Sequence, residues 1–333
     1  MKGAFVGNAG LIRDVYAQQQ RDELSTLLAM DTERVLTKED VLASPELTAD
    51  TEYLFSTWGM PIFSEEEIRR CFPKVKALFY AAGTVQSFAR PFLNCGIRIF
   101  SAWTANAVPV AEYATAQILL ANKGYFATSR LYSAKQYKLA KQTVEQFPGN
   151  YGCRVGLLGA GSIGSLVAEM LRSNVVEVLV FDPFLSDERA EALGVRKAGL
   201  EEIFSTCQTI SNHLANNEQT VGILNGALFD KMKETATFIN TGRGAQVVED
   251  DLCDALQARP LATAVLDVTW PEPVEEDSRL YSMDNVVLTP HIAGSSGDEV
   301  HRMAAYMIAE YRAVAADAPT QYEVSMKMLE TMA

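Results

Sequence analysis

Short apolar runs alternate with amphipathic segments along this chain. In the first hundred residues, four runs have the length and composition of buried strands, at 4–6, 53–56, 77–80 and 97–100. Segments with helical spacing of apolar residues lie between them, at 20–28, 65–72 and 88–93. This order of strands and helices predicts an α/β fold with a parallel sheet that helices cover on both faces.

The pattern continues in the second half of the chain. A long helix is predicted over 108–121, with Asn106 or Thr104 as its cap and Pro109 in its first turn. Further strands are predicted at 155–158, 175–181, 209–213, 237–240, 262–267 and 286–289. Residues 244–256 form a loop that runs into a helix, and a last helix spans about 298–315. The chain thus contains two α/β units, and periodicity alone leaves open whether the last helix returns to the first.

The most informative segment is 154–182. An apolar run leads into Gly159-Ala160-Gly161-Ser162-Ile163-Gly164, and a helix, a second apolar run and Asp182 follow. This is the layout of a dinucleotide-binding βαβ unit, in which the first two glycines permit a tight turn and a close approach to the diphosphate. Asp182 would bind the adenosine ribose and repel a 2′-phosphate, and no Arg or Lys follows it before Arg189, so NAD is expected rather than NADP. The alternative is a glycine-rich turn in an ordinary α/β domain.

Composition narrows the function classes. The chain has 333 residues, room for two domains, and a net charge of −13, which argues against nonspecific binding to nucleic acid or to an anionic membrane. Its five cysteines are scattered and lack CxxC spacing, as expected for reduced thiols in the cytoplasm rather than for a disulfide framework or a zinc site. The apolar run at the N-terminus is too short for a signal peptide, and no segment has the length of a membrane span.

Three residues with suitable chemistry follow predicted strands downstream. Arg243 could hold a carboxylate with its planar guanidinium, and His291 could exchange a proton near neutrality, because free histidine has a pKa of ~6.5. Glu272 could orient the imidazole and favour its charged form. The alternatives are a surface ion pair for Arg243 and a solvated acidic loop for Glu272. His213 could line a cofactor site or be a structural histidine, and His301 is expected to be a surface or packing residue.

These segments resemble the D-isomer-specific 2-hydroxyacid dehydrogenases. The resemblance lies in NTGRG (240–244), DVTWPEP (267–273), LTPHIAG (288–294) and HLANNEQT (213–220), with weaker similarity at YAAGTV (80–85) and NAVPVAEYA (106–114). It implies two flavodoxin-like or Rossmann-like lobes with the active site in the cleft between them. The implied substrate domain is 1–106 plus 297–333, and the implied NAD-binding domain is 107–296.

The resemblance also implies a role for each matching position. Arg243 would hold the substrate, and His291 would be the general acid/base paired with Glu272. Asp267 would bind the nicotinamide carboxamide. The remaining positions implied to contact the cofactor are Gly159, Gly161, Ser162, Ile163, Gly164, Asp182, His213, Ala215, Thr220, Thr241, Gly242 and Gly294. Those implied to contact the substrate are Ala82, Gly83, Thr84 and Asn106. The chain departs from the family at Ala215, where proline is usual, and at Thr84-Val85-Gln86, where an acid often stands.

The leading hypothesis is therefore an NAD-dependent oxidoreductase that interconverts a 2-oxo acid and a D-2-hydroxy acid. A noncatalytic NAD(H)-sensing protein is the alternative, and formate oxidation is disfavoured because that branch has glutamine where Glu272 stands. Residues 122–150 are rich in Lys and Arg and form either a solvated face or a dimerisation arm, so a homodimer is expected from the resemblance. Trp58, Tyr80 and Trp103 could line a wide substrate pocket, although packing is the usual role of such aromatics.

Overall fold

The computed structural model describes residues 1–330 and divides into two compact units. The first unit comprises residues 1–106 together with the segment that starts at Ser295, and the second unit is Ala107–Gly294. The strands are β1 Gly3–Val6, β2 Val35–Leu36, β3 Tyr53–Ser56, β4 Ala77–Tyr80, β5 Arg98–Ser101, β6 Tyr151–Leu158, β7 Val175–Phe181, β8 Arg196–Lys197, β9 Thr209–Asn212, β10 Thr237–Asn240, β11 Thr263–Leu266, β12 Val286–Leu288 and β13 Glu323–Val324.

The helices are α1 Ala9–Val15, α2 Gln18–Leu27, α3 Lys38–Ala43, α4 Glu65–Cys71, α5 Ala89–Asn94, α6 Trp103–Asn122, α7 Tyr125–Ser133, α8 Tyr137–Thr143, α9 Ser162–Leu171, α10 Asp187–Leu193, α11 Leu200–Thr206, α12 Gly226–Phe229, α13 Glu249–Ala258 and α14 His301–Ala315. Short 3-10 turns occupy Gly244–Gln246 and Gly297–Val300, just before α13 and α14. The predicted run into a helix after residue 244 and the predicted last helix thus each begin with a 3-10 turn.

The first unit is built on a six-stranded sheet of order β13-β5-β4-β3-β1-β2. Strands β1 to β5 are parallel, and β13 pairs antiparallel with β5 at the edge. Every residue of β3 and β4 is buried, as expected for strands with helices on both faces. The rings of Phe55, Phe79 and Phe100 stack on neighbouring strands. Tyr311 of α14 packs against the first two of these rings.

The second unit is built on a seven-stranded parallel sheet of order β12-β11-β10-β9-β6-β7-β8. Its chain starts in the middle, at β6, goes outward through β7 and β8, and then crosses to β9 on the other side. The carboxyl ends of β6 and β9 therefore flank the point where the strand order reverses, and ligands of open α/β sheets bind at such points. The predicted α/β class with two parallel-sheet lobes is confirmed.

The start of the long helix was predicted wrongly. α6 begins at Trp103, so Thr104 and Asn106 lie inside its first turn rather than at its cap, and Pro109 is an interior residue. Proline was expected only in a first turn because it lacks an N–H and disfavours a helix interior. The pattern also missed the two-residue strands β2, β8 and β13, which are too short to show periodicity. The helices that it did not predict are α1, α3, α7, α8, α10, α11 and α12.

Two further observations concern the described residues as a whole. No helix within 1–330 is long and apolar enough to cross a lipid bilayer. Within the same range, no three His, Cys, Asp or Glu side chains are grouped so that they could hold a metal ion.

Candidate active site

The glycine turn after β6 has the geometry that its sequence predicts. Gly159 has a φ of +97°, and a Cβ at this position would lie 2.7 Å from the carbonyl oxygen of His213. A Cβ on Gly164 would lie 2.0 Å from the carbonyl oxygen of Gly159. By contrast, a Cβ on Gly161 would meet nothing within 4 Å. The first and third glycines thus permit close packing, and the second leaves the backbone open to a ligand.

The N-terminus of α9 can receive the diphosphate of a dinucleotide. Gly161 caps this ten-residue helix, and no side chain accepts a hydrogen bond from its first N–H groups. Gly161 and Ser162 are exposed, Ile163 is half-buried and Gly164 is buried. Free N–H groups and the positive end of the helix dipole favour an anionic ligand at this place. The residues present therefore fit a dinucleotide.

Asp182 directly follows β7 and lies beside the glycine turn. Its Oδ2 accepts a hydrogen bond from the N–H of Ala160 at 2.7 Å, and its Oδ1 accepts one from the N–H of Phe184 at 2.8 Å. Arg189 reaches the same turn, where its Nη2 donates to the carbonyl oxygen of Ala160 and to Ser165 Oγ, both at 2.9 Å. Arg189, the first cation after Asp182 in the sequence, thus bonds to the same residue, Ala160, a contact that the sequence pattern did not show.

The loop after β9 contains the positions predicted to lie beside the cofactor. His213 is buried, and its two ring nitrogens bond to Ser211 Oγ at 2.9 Å and Thr241 Oγ1 at 3.1 Å. Burial lowers the pKa of His213 to about 4, so the ring is neutral at physiological pH. This geometry favours the structural role. Thr220 Oγ1 donates to the carbonyl oxygen of the exposed Ala215 at 2.8 Å and so closes the loop on itself.

Arg243 follows β10 in a tightly packed turn. Its side chain is half-buried, and Nη1 donates to the carbonyl oxygen of Gly242 at 2.8 Å. A Cβ on the next residue, Gly244, would lie 2.0 Å from the carbonyl carbon of Thr269, so only glycine fits there. The turn therefore fixes the backbone of Arg243 and leaves part of its guanidinium exposed.

Asp267 organises the loop that contains His291. The carboxylate is 2% exposed and accepts hydrogen bonds from Thr289 Oγ1 at 2.6 Å and from the N–H groups of Ile292 and Ala293 at 2.8 and 2.9 Å. Since the Thr289 hydroxyl donates to Asp267, the Tyr113 hydroxyl 3.2 Å away donates to Thr289. Three of about four acceptor positions on the carboxylate are occupied. The contact to the nicotinamide carboxamide stays a prediction, and anchoring of this loop is the role that the contacts display.

The backbone of His291 adopts a left-handed conformation, with φ of +56°. Its N–H donates to the carbonyl oxygens of Asp267 and Thr289 at 3.1 and 3.0 Å. Such a conformation costs energy for a residue other than glycine and is enriched at functional sites. Gly294 ends the same loop and is half-buried.

Glu272 and His291 form a close pair. His291 Nδ1 lies 2.7 Å from Glu272 Oε1, and the side chains are 49% and 42% exposed. A carboxylate at Nδ1 fixes the orientation of the ring. Nε2 is then the nitrogen that can exchange a proton with a ligand.

The predicted substrate residues lie in the first unit, at the carboxyl ends of β4 and β5. Ser101 Oγ donates to the carbonyl oxygens of Ala82 and Gly83, which fixes the turn, and a Cβ on Gly83 would meet nothing within 4 Å. Thr84 is exposed. Asn106 Oδ1 accepts a hydrogen bond from the N–H of Ser295 at 3.0 Å, so this side chain also joins the two segments of the unit.

The aromatic residues near these strand ends take part in packing. Tyr80 packs edge-on against Phe88, with ring centroids 4.9 Å apart, and Trp103 packs against Tyr322 at 5.8 Å. Trp58 is half-buried against the hydrophobic core of the first unit. These contacts favour the packing role over a pocket lining.

Comparisons with known proteins agree with this geometry. The family model described as D-isomer specific 2-hydroxyacid dehydrogenase, NAD binding domain, matches residues 115–293. The chain is 30% identical over 235 residues to D-3-phosphoglycerate dehydrogenase of Archaeoglobus fulgidus. This alignment covers 71% of this chain and 44% of that protein. The chain spans less than half the length of this and two other curated relatives that it matches. The match confirms NAD as the cofactor.

Solved structures show the same fold. D-mandelate dehydrogenase of Rhodotorula graminis has a TM-score of 0.78 at 17% identity, and the alignment covers 97% of both chains. An NAD complex of the D-isomer specific 2-hydroxyacid dehydrogenase of Lactobacillus delbrueckii has a TM-score of 0.74 at 19% identity, over 98% of this chain and all of that one. The family model covers more than half of the present sequence. The chain therefore belongs to the D-isomer specific 2-hydroxyacid dehydrogenase family.

Proposed function

We propose that the chain is an NAD-dependent oxidoreductase that interconverts a 2-oxo acid and a D-2-hydroxy acid. The observation that carries this proposal is the contact of 2.7 Å between Glu272 Oε1 and His291 Nδ1, on a histidine held in a left-handed conformation. A buried structural histidine, such as His213, has both nitrogens occupied by its own fold. His291 instead has one nitrogen fixed by a carboxylate and a half-exposed ring.

Each residue has a distinct task in this mechanism. When NADH is bound, it supplies the hydride to C2 of the 2-oxo acid. Arg243 holds the carboxylate and the carbonyl oxygen with its guanidinium, which aligns C2 and stabilises the charge that develops on the oxygen. His291 Nε2 donates its proton to that oxygen, and Glu272 holds the ring in place through Nδ1.

Turnover of a panel of substrates tests the proposal. NADH absorbance would be followed with glyoxylate, hydroxypyruvate, pyruvate, phenylpyruvate and branched-chain 2-oxo acids, and NAD reduction with D-3-phosphoglycerate, the compound in the name of the A. fulgidus relative. We expect turnover with at least one of them. Tight NADH binding without any turnover would instead support a noncatalytic NAD(H) sensor.

Asp182 is proposed to select NADH over NADPH. Replacing it with asparagine keeps an acceptor for the Ala160 N–H and removes the charge that would repel a 2′-phosphate, while Arg189 remains at the same turn. We expect the ratio of the NADPH and NADH dissociation constants to fall at least about tenfold, which is ~1.4 kcal/mol and lies within the range for two charges about 4 Å apart near a surface.

Cofactor fluorescence without substrate measures both constants in the Asp182 experiment. Glu177→Gln is the matched control, because Glu177 lies on β7, the strand that leads to Asp182, and pairs with Arg154 and Arg196. An unchanged ratio in the Asp182→Asn variant would contradict the assignment.

We also propose a homodimer in which residues 122–150 form the arm. Helices α7 and α8 expose several large apolar side chains, and Tyr132 and Tyr137 are 62% and 61% exposed. Arg130 anchors α7 to the rest of the second unit, because its guanidinium donates to the carbonyl oxygens of Pro260 and Asp284. Exposed apolar patches of this kind mark interaction surfaces.

Charge placed on the arm should separate the dimer. We expect the wild-type protein to sediment at twice the chain mass of 36.5 kDa and the Tyr132→Glu/Leu139→Glu variant to sediment as a monomer. Ile62→Glu is the control, because Ile62 is 58% exposed but lies in the first unit. A monomeric wild-type protein would rule out the arm.

The five cysteines are all unpaired, which supports a reducing compartment, and we propose the cytoplasm.

A further inference from the structure

Three amide side chains are buried beside the proposed site in the second unit. Asn212 ends β9, Asn240 ends β10, and Gln246 lies in the 3-10 turn after Arg243; each is at most 1% exposed. Asn212 Nδ2 donates to Asn240 Oδ1 at 2.9 Å and to Gln246 Oε1 at 2.7 Å. Buried amides without partners are costly, so this set of hydrogen bonds fixes the three loops relative to one another.

Gln246 is the member that reaches both functional loops. Its Oε1 also accepts a hydrogen bond from the N–H of Arg243 at 3.2 Å. Its Nε2 donates to the carbonyl oxygens of Leu214 and Ala215 at 3.1 and 2.9 Å. A glutamine side chain has two donors and two acceptor positions, and all four are used here. One side chain therefore joins the backbone of the substrate-binding arginine to the backbone of the cofactor-side loop.

Gly242 is matched to this arrangement. A Cβ at this position would lie 2.8 Å from both Asn212 Nδ2 and Gln246 Oε1. Gly242 has no left-handed φ, so the glycine is required for space rather than for backbone conformation. The absence of a side chain at 242 is what allows the amides of 212 and 246 to meet.

We propose that Gln246 is a positioning residue that couples occupancy of the substrate site at Arg243 to occupancy of the cofactor site at Leu214–Ala215. The inference rests on the proposed function, in which Arg243 binds the substrate carboxylate. A ligand that fixes the backbone of Arg243 also fixes Gln246 Oε1, which accepts a hydrogen bond from the Arg243 N–H. Gln246 Nε2 then holds the cofactor-side loop through the carbonyl oxygens of Leu214 and Ala215. By linkage, each ligand tightens the binding of the other by the same factor.

Binding measurements without catalysis test this coupling. NADH fluorescence gives the dissociation constant of NADH with and without saturating oxamate, an unreactive analogue of a 2-oxo acid. For the wild-type protein we expect oxamate to tighten NADH binding at least about fivefold, the lower end of typical couplings between sites. Gln246→Leu keeps the volume of the side chain and removes all four of its hydrogen bonds. For this variant we expect the NADH dissociation constants without and with oxamate to be nearly equal.

Two further variants make the result specific. Gln208→Leu is the matched control, because Gln208 is also a buried glutamine but binds Thr235 at the opposite end of β9. It should lose stability and keep the wild-type coupling. Gly242→Ala adds one methyl group against Gln246 and should lose the coupling even if Gln246→Leu does not fold.

The outcomes separate this inference from the proposed function. A wild-type protein that turns over a 2-oxo acid but shows equal coupling in the wild-type, Gln246→Leu and Gly242→Ala proteins would overturn the inference alone. Equal NADH binding with and without oxamate in the wild-type protein would also overturn it. A wild-type protein that binds NADH without turnover of any substrate would reject the proposed function.

Discussion

Replacing His291 with asparagine should lower kcat for reduction of a 2-oxo acid by about 10²–10⁴-fold, the usual contribution of a positioned general acid. Asparagine is the informative choice because it tolerates the left-handed conformation that His291 adopts, with φ of +56°. The loop and its contacts to Asp267 should therefore persist, and NADH affinity should be unchanged. Steady-state kinetics and NADH fluorescence on the same preparation measure both quantities.

The matched control for this prediction is His301→Asn. His301 is the first residue of α14, and its Nδ1 lies 3.2 Å from the carbonyl oxygen of Val15, within the first unit. This variant should keep the wild-type kcat. The expected loss of kcat is about 10²–10⁴-fold. If the His291→Asn protein instead retained a tenth or more of the wild-type kcat, His291 would not be the proton donor in the chemical step.

Replacing Arg243 with alanine should lower kcat/KM for the 2-oxo acid by about 10²–10³-fold, the scale measured when one group that stabilises a developing oxyanion is lost. The loss should include a higher KM, because the same guanidinium holds the substrate carboxylate. Part of the activity should return when guanidinium chloride is added at a concentration that does not unfold the protein. This rescue distinguishes a missing functional group from a disturbed fold.

Arg259→Ala is the control for the arginine. Arg259 lies in the same unit, and its Nε donates to the carbonyl oxygen of Met232 at 3.0 Å. It should lose some stability and keep its kcat/KM. An Arg243→Ala protein with kcat/KM within tenfold of wild type would contradict the expected loss of about 10²–10³-fold. Arg243 would then have no part in holding the substrate.

The parts of the fold that could be predicted are those whose pattern lies in residues next to one another in the sequence. The segment from β6 to Asp182 could be predicted because a strand, three glycines, a helix and an acid follow one another within about thirty residues. The start of α6 could not, because the buried residues that extend it to Trp103 belong to the core of the first unit, and no local signal outweighs Pro109. Tertiary packing overrode the helix-stop signal there.

The candidate site shows the same division. Glu272 and His291 lie nineteen residues apart in two recognisable motifs, and the structure brings their side chains into contact. The partners of Gln246 could not be predicted, because Asn212 is thirty-four residues away and becomes a neighbour only through the pairing of β9 with β10. Arg189 likewise reaches Ala160 across twenty-nine residues by way of α10. Such contacts follow from strand order, which no local pattern contains.

The proposed mechanism depends most on His291 acting as the acid/base for hydride transfer, and the pH dependence of both directions tests this directly. We would measure kcat/KM for reduction of the 2-oxo acid and for oxidation of the matching D-2-hydroxy acid on one preparation over the titration range of histidine. Reduction needs the imidazolium and should slow as pH rises, whereas oxidation needs the neutral ring and should accelerate. We expect these opposite trends in the wild-type protein and their loss in His291→Asn. The same trend in both directions would contradict the proposed mechanism.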